Sequence, residues 1–159
     1  SLVAEQSYTK ADYDKKVKTN DFYVGVVAAV INSLCPKLVV DSSICDKKNP
    51  VGTAVAIQKL MLSGEEEIDD ADEEMIAKNV HSLDAAFQFY DAVEQFKAFL
   101  GQKAENAKYA KSGDWKNATI GEEQAWMAIV KTASRAAFAA KMVGDMKTYK
   151  MMMDLAADY

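Results

Sequence analysis

Ile76, Val80, Leu83, Phe87 and Tyr90 recur at steps of 4, 3, 4 and 3, and Val93, Phe96 and Leu100 prolong the series. Only a helix of about 3.6 residues per turn stacks such positions on one face, so the spacing predicts an amphipathic helix of about 28 residues. A seam of this kind is stable only when other helices cover it. That requirement, more than any other feature, limits the chain to a helical assembly.

The flanking segments supply the covering helices. Asp21 predicts the start of a helix whose apolar residues, Phe22, Val26, Val27, Val30, Ile31 and Leu34, leave almost no polar face. Such a helix must be buried nearly all round. Pro36 is expected to end it, because proline disfavours helical geometry at the preceding Cys35. Residues 1–20 read as a polar arm or short helix. A further helix is expected from Val51 to a stop at Gly64. Gly113-Asp114 and Gly144-Asp145 each pair a helix-stopping glycine with a helix-starting aspartate. Between them, Thr119 and Glu122 read as a capping box for a helix from about Ile120 to Val143, and a short helix from Met146 to Ala157 closes the chain. Leu38-Val39-Val40 is too short for a confident strand.

Half of the 159 residues are apolar, enough for one core without metal or multiple disulfides. The expectation is therefore a single all-α domain over residues 1–159, an up-down bundle of about four main helices with short flanking helices. The most apolar run, Phe22 to Leu34, falls short of the roughly 20 residues a bilayer span needs, so it is expected to be a core helix and not a transmembrane segment.

Charge narrows the partners. Residues 1–80 carry 14 acidic and 9 basic side chains, and residues 81–159 carry 10 of each. Eight of the acids lie between Glu65 and Glu74. The bases are 18 lysines and one arginine, Arg135. Nucleic-acid readout relies on arginine forks, so nucleic acid is not an expected partner. The acidic run fails the Ca²⁺-loop pattern, which needs a glycine at its sixth place. It fits an electrostatic docking surface, with Glu65, Glu66, Glu67, Asp69 and Asp70 as candidate contacts. Five of the eight methionines fall between Met142 and Met153. Three in a row point in three directions around a helix, so one core cannot cover them all. Met146, Met151 and Met152 are the candidate partner contacts there.

No catalytic constellation can be assembled. His81 is the only histidine, which removes di-iron sites built from two Glu-x-x-His motifs. The haem-attachment motif C-x-x-C-H is absent, and pairing His81 with Met127 or Met142 as haem ligands has no further support. There is no nucleophile elbow, P-loop or dinucleotide fingerprint. The expectation is a protein that is not an enzyme and has no cofactor. Asn117-Ala118-Thr119 is a formal glycosylation sequon that overlaps the expected capping box.

Cys35 at a helix end and Cys45 in the following loop are close enough in sequence to form a disulfide that pins the loop. Closing a loop of that size removes about 3 kcal/mol of unfolded-state freedom. The alternative is two unrelated thiols in a reducing compartment. A disulfide carries with it an extracytoplasmic location, whether thylakoid lumen, periplasm or outside the cell.

The closing pattern Ala136-Ala137, Asp145, Tyr149 and Leu155 resembles the last helices of PsbQ-type extrinsic subunits of photosystem II. That resemblance implies a four-helix bundle in the thylakoid lumen, exported with a cleaved leader and docked electrostatically on the oxygen-evolving core. It implies no catalytic activity and carries over no binding residue, and the cysteine pair is not part of the family pattern. Together these readings lead to the expectation of a non-catalytic subunit that docks on a larger protein assembly, such as one associated with a membrane. The other function considered is a small-molecule or pigment carrier with Phe87, Phe89, Phe96 and Phe99 lining a pocket between helices.

Overall fold

A computed structural model describes residues 8–45, 78 and 80–157. Four α-helices occupy most of them: α1 (Lys10–Leu38), α2 (Leu83–Lys111), α3 (Trp115–Met142) and α4 (Met146–Ala157). A single 3-10 turn, Ser42–Ile44, follows α1. Among the described residues there is no strand, only an isolated antiparallel bridge between Val39 and Val80. The all-α bundle expected from the seam is the fold. The helix expected from Val51 and the acidic run Glu65–Glu74 lie outside the described residues.

The helix ends differ from the sequence reading in instructive ways. α1 begins at Lys10, not at Asp21, because Thr9 and Asp12 form a capping box: the Asp12 N–H donates to Thr9 Oγ1 at 3.2 Å and the Thr9 N–H to Asp12 Oδ2 at 2.8 Å. The polar stretch 10–20 is thus the first three turns of a long helix. α1 also runs through Pro36 to Leu38. Cys35, the residue proline should push out of helical geometry, is fully buried and bonded to Cys45, so tertiary constraint overrides the local preference. Ser82, accepting from the Ala85 N–H at 3.2 Å, starts α2 later than Ile76. α2 then passes straight through Gly101 for 29 residues, a length of about 44 Å at 1.5 Å per residue. α3 starts at the other aspartate: Asp114 accepts from the Asn117 N–H at 3.2 Å. Thr119 and Glu122 therefore form no capping box; both are buried inside the helix. Gly113 and Gly144, at φ 79° and 80°, make the two tight left-handed turns as expected.

α3 is the hub. Its most extensive contact is with α2, to which the Ser112–Asp114 turn joins it as an antiparallel hairpin, and it also packs on α1 and α4, while α1 barely touches α2. The pairs Tyr13–Trp115, Tyr23–Trp126 and Lys37–Asp145 rise together in both chain segments, so α1 runs parallel to α3. Small residues explain this central place. Ala118, Ala125, Ala133, Ala136, Ala137, Ala139 and Ala140 are all fully buried on α3, and their small side chains let three neighbours approach closely. Most of the large apolar side chains come from outside, Ile31, Leu34 and Leu38 of α1, Phe89, Phe96 and Phe99 of α2, and Met152 of α4, while α3 itself contributes Ile129.

The seam is buried only in part: Val80, Val93 and Phe96 are buried as expected, while Leu83, Phe87, Tyr90 and Leu100 are half-buried. Ala85, Ala86, Phe89, Ala92 and Phe99 complete the buried face of α2. α1 meets the length and hydropathy of a membrane span, with mean hydropathy 1.3 over an 18-residue window, which the 13-residue reading missed. One face of it is core; on the other, Phe22 is 67% exposed.

The tightest helix crossing yields the first prediction. At Gly121 a side-chain carbon would collide with the Asn106 amide of α2. Gly121→Ala should destabilise by about 3 kcal/mol, since overpacking and a displaced hydrogen-bonding partner act together. Gly25→Ala, at a helical glycine with open space around it, should instead stabilise by up to about 1 kcal/mol. Chemical denaturation of the two variants checks both signs.

Candidate functional site

The core stripes of the three long helices all run into polar residues at the same end. On α1 the series Leu38, Leu34, Ile31, Val27 reaches Asn20; on α2 the series Phe89, Phe96, Phe99 reaches Lys103 and Asn106; on α3 the series Ala133, Ile129, Ala125 reaches Glu122. The three ends converge on one carboxylate. Glu122 is fully buried. Its Oε1 accepts from Lys103 Nζ and its Oε2 from Asn106 Nδ2. Asn20 Nδ2 donates to the Glu122 backbone carbonyl at 2.9 Å. Gln102 Nε2 donates to Asn106 Oδ1 at 2.8 Å, orienting the amide that Gly121 leaves room for. Lys103 also reaches Asp21 Oδ1 at 3.3 Å. Burial acts to lower the Lys103 pKa, but the hydrogen bond and charge of Glu122, with Asp21, outweigh it and hold the ammonium above its ordinary value. Burial, reinforced by the Glu122 charge, raises the neighbouring Tyr13 phenol.

Asn20 and Glu122 of this cluster line a cleft of about 400 Å³ between α1 and α3. Tyr23 and Trp126 meet edge to face across it with ring centroids 4.6 Å apart, and Lys16 and Glu123 pair at 3.7 Å at its side. The lining offers amide, hydroxyl, ammonium and carboxylate groups but no thiol or imidazole. It can hold a polar group beside an aromatic wall. Among the described residues no group of three His, Cys, Asp or Glu is placed to hold a metal.

The opposite end of the bundle holds the cysteines and the methionines. Cys35 and Cys45 form a disulfide with Cα atoms 5.9 Å apart, and Asp41 orders the loop between them by accepting from the Ser43 N–H at 3.0 Å. Beside it, Lys37 of α1 pairs with Asp145 at 2.8 Å, and Asp145 accepts from the Thr148 N–H and hydroxyl at 3.1 and 2.6 Å, starting α4. The Lys37 hydrogen bond, followed by those from Thr148, lowers the Asp145 carboxyl from 3.8 to about 2. Met146, at 53% exposure, stands outside the core with Met142 and Met151. Met152 does not join them. It is fully buried, because its position on α4 faces α3, and it is withdrawn from the partner surface. Glu65, Glu66, Glu67, Asp69 and Asp70 lie outside the described residues.

Other sequence candidates are also placed. His81 is exposed and its N–H donates to the Leu38 carbonyl at 2.8 Å; Met127 and Met142 are exposed on α3. Phe89, Phe96 and Phe99 are buried in the core, and Phe87 is half-buried. The Asn20–Lys103–Asn106–Glu122 cluster was not anticipated. Its signal was a charge on an apolar stripe: Glu122 falls four residues after Ala118 and three before Ala125, where reading it as a cap hid it.

The depressed Asp145 carboxyl fixes a sign. Its stabilising effect is fully present above the unfolded value of 3.8 and is lost as pH falls through about 2. Asp145→Asn should therefore lower Tm relative to wild type at neutral pH, and the gap should close between about pH 4 and about pH 2. Thermal melts across that range check it. No protein family, curated protein or solved structure matches this chain.

Proposed function

We propose that this chain is a non-catalytic helical-bundle subunit that docks on a larger protein assembly through its surface. The observation that carries the reading is the α3–α4 corner, where Met142, Met146 and Met151 remain exposed while Met152 beside them is buried. Unbranched, polarisable side chains of this kind adapt to a partner's relief, and a grouped set outside the core is unfavourable unless something covers it. The corner is also well anchored: the disulfide, the Lys37–Asp145 pair and the Asp145 cap hold it in place. The acidic run Glu65–Glu74 is proposed as a second, electrostatic contact.

The finer reading is an extrinsic subunit in the thylakoid lumen, docked on a photosystem. The support is the PsbQ-like pattern at this corner. Ala136 and Ala137 are buried on α3, Asp145 caps α4, and Tyr149 and Leu155 pack α4 onto the core. The disulfide fits an oxidising compartment.

A photo-crosslinking side chain placed at Met146 or Met151 in the native host should give one dominant adduct. The same group at Lys108, on the far end of the bundle, should not. Equal adduct patterns at both ends, or none at either methionine, would contradict a docking role for this corner.

A further inference from the structure

A second hollow lies between α2 and α3, away from the polar cluster and one helical turn before Met142. It is open to the surface, has a volume of about 460 Å³ and is lined by Gln95, Lys131, Ser134, Arg135 and Phe138. That volume falls within the range of small-molecule sites. Its chemistry is unlike the rest of the surface. The chain carries a net charge of −5, yet this lining holds two cations and no carboxylate. Among the described residues neither Lys131 nor Arg135 makes an ion pair; Lys116, Lys147 and Lys150 make none either, and what distinguishes Lys131 and Arg135 is that they share one hollow with no lining carboxylate.

Arg135 is the only arginine among 19 basic residues. Lysine serves a general need for surface charge equally well. A guanidinium differs in presenting a rigid, planar fork of donors that grips two oxygens of one anion. Lys131 lies one helical turn before it on the same face of α3, about 6 Å away at the Cβ positions. Ser134 adds a hydroxyl and Gln95, from α2, an amide, both able to donate to oxygen. Two cations with no lining acid match a dianion better than a monoanion. Phe138, half-buried and one turn beyond Ser134, sets an aromatic surface beside the charged end.

We propose that this groove binds a small organic phosphomonoester, with its phosphate held by the Arg135 fork and Lys131 and its organic body against Phe138. A phosphomonoester carries nearly two negative charges at neutral pH and three acceptor oxygens, which matches the donors present. Ser134 and Gln95 complete the oxygen contacts. The phosphate is bound and not transferred, since the groove offers no metal ligand set and no general base.

Phenyl phosphate is the probe, titrated into the full chain while backbone amide resonances are followed by NMR. Saturable shifts should concentrate at Gln95 and at residues 131–138, with a dissociation constant on the order of 1 mM or tighter. Inorganic phosphate should bind at least about threefold more weakly, because it makes no contact with Phe138. Arg135→Gln, at an exposed position that does not threaten folding, should weaken phenyl phosphate by about tenfold or more through loss of the bidentate charge-assisted pair. Lys147→Gln, on α4, should leave it unchanged. The proposal is overturned by non-saturable or scattered shifts, by an Arg135→Gln variant that binds like wild type, or by equal affinity for inorganic phosphate. It is also overturned if a phosphoserine peptide saturates the groove more tightly than phenyl phosphate, which would make the ligand a protein.

Discussion

A carboxylate with no access to water must be answered by the protein around it, and Glu122 of α3 is answered from two other helices at once. Lys103 and Asn106 come from α2, and Asn20 of α1 donates to its backbone carbonyl and lies 3.4 Å from its Oε1. Each contact is possible at only one helix register. A slide of one turn along any pair would leave a buried charge unpaired, which is far less favourable than a shifted apolar contact. The apolar stripes alone would tolerate such slides, because alanine repeats along most of α3. The polar cluster therefore specifies what the small-residue packing permits but does not select.

The two ends of the bundle are fixed by different chemistry. At the cluster end, α1 and α2 are tied to α3 by buried hydrogen bonds, with Gly121 leaving room for the Asn106 amide. At the other end, α1 is closed by the Cys35–Cys45 bond and linked to the start of α4 by Lys37 and Asp145. Between them the core is built of apolar side chains, Ile31, Phe89, Phe96 and Met152 against Ile129 and the alanines of α3. Features suited to binding lie where these layers meet the surface: the α1–α3 cleft over Glu122, the groove at Arg135, and the methionines beside the capped start of α4.

Much of the fold was legible in the sequence. Periodic apolar spacing and the two Gly-Asp turns were enough for an all-α bundle, for the α3–α4 junction and for the short last helix, and the cysteine spacing pointed to the disulfide. What was not legible traces to single residues whose local signal competes with tertiary context. Pro36 predicts a helix end, but burial and the disulfide at Cys35 hold the turn. Thr119 and Glu122 spell a cap, but Asp114 starts the helix five residues earlier and turns both inward. Leu83, Phe87 and Tyr90 draw the eye as a seam, while Ala85, Ala86 and Ala92, buried on the same helix, are too small to register. The site reading suffered the same way: Met152 looks like its exposed neighbours, and Lys103 looks like any other surface lysine until its partner is seen.

The central claim is that the buried Lys103–Glu122 contact holds the bundle's register, and removing the cation tests it most directly. Lys103→Met keeps the stem that packs against its neighbours and deletes only the charge. Equilibrium denaturation should show a loss of about 3–5 kcal/mol, the penalty for leaving a buried carboxylate without its cation. Lys108→Met, which breaks the exposed pair with Glu105 one turn further along α2, should change stability by about 1 kcal/mol or less. If the two variants were equally stable, Glu122 would not be the constraint on which the arrangement of α1, α2 and α3 depends.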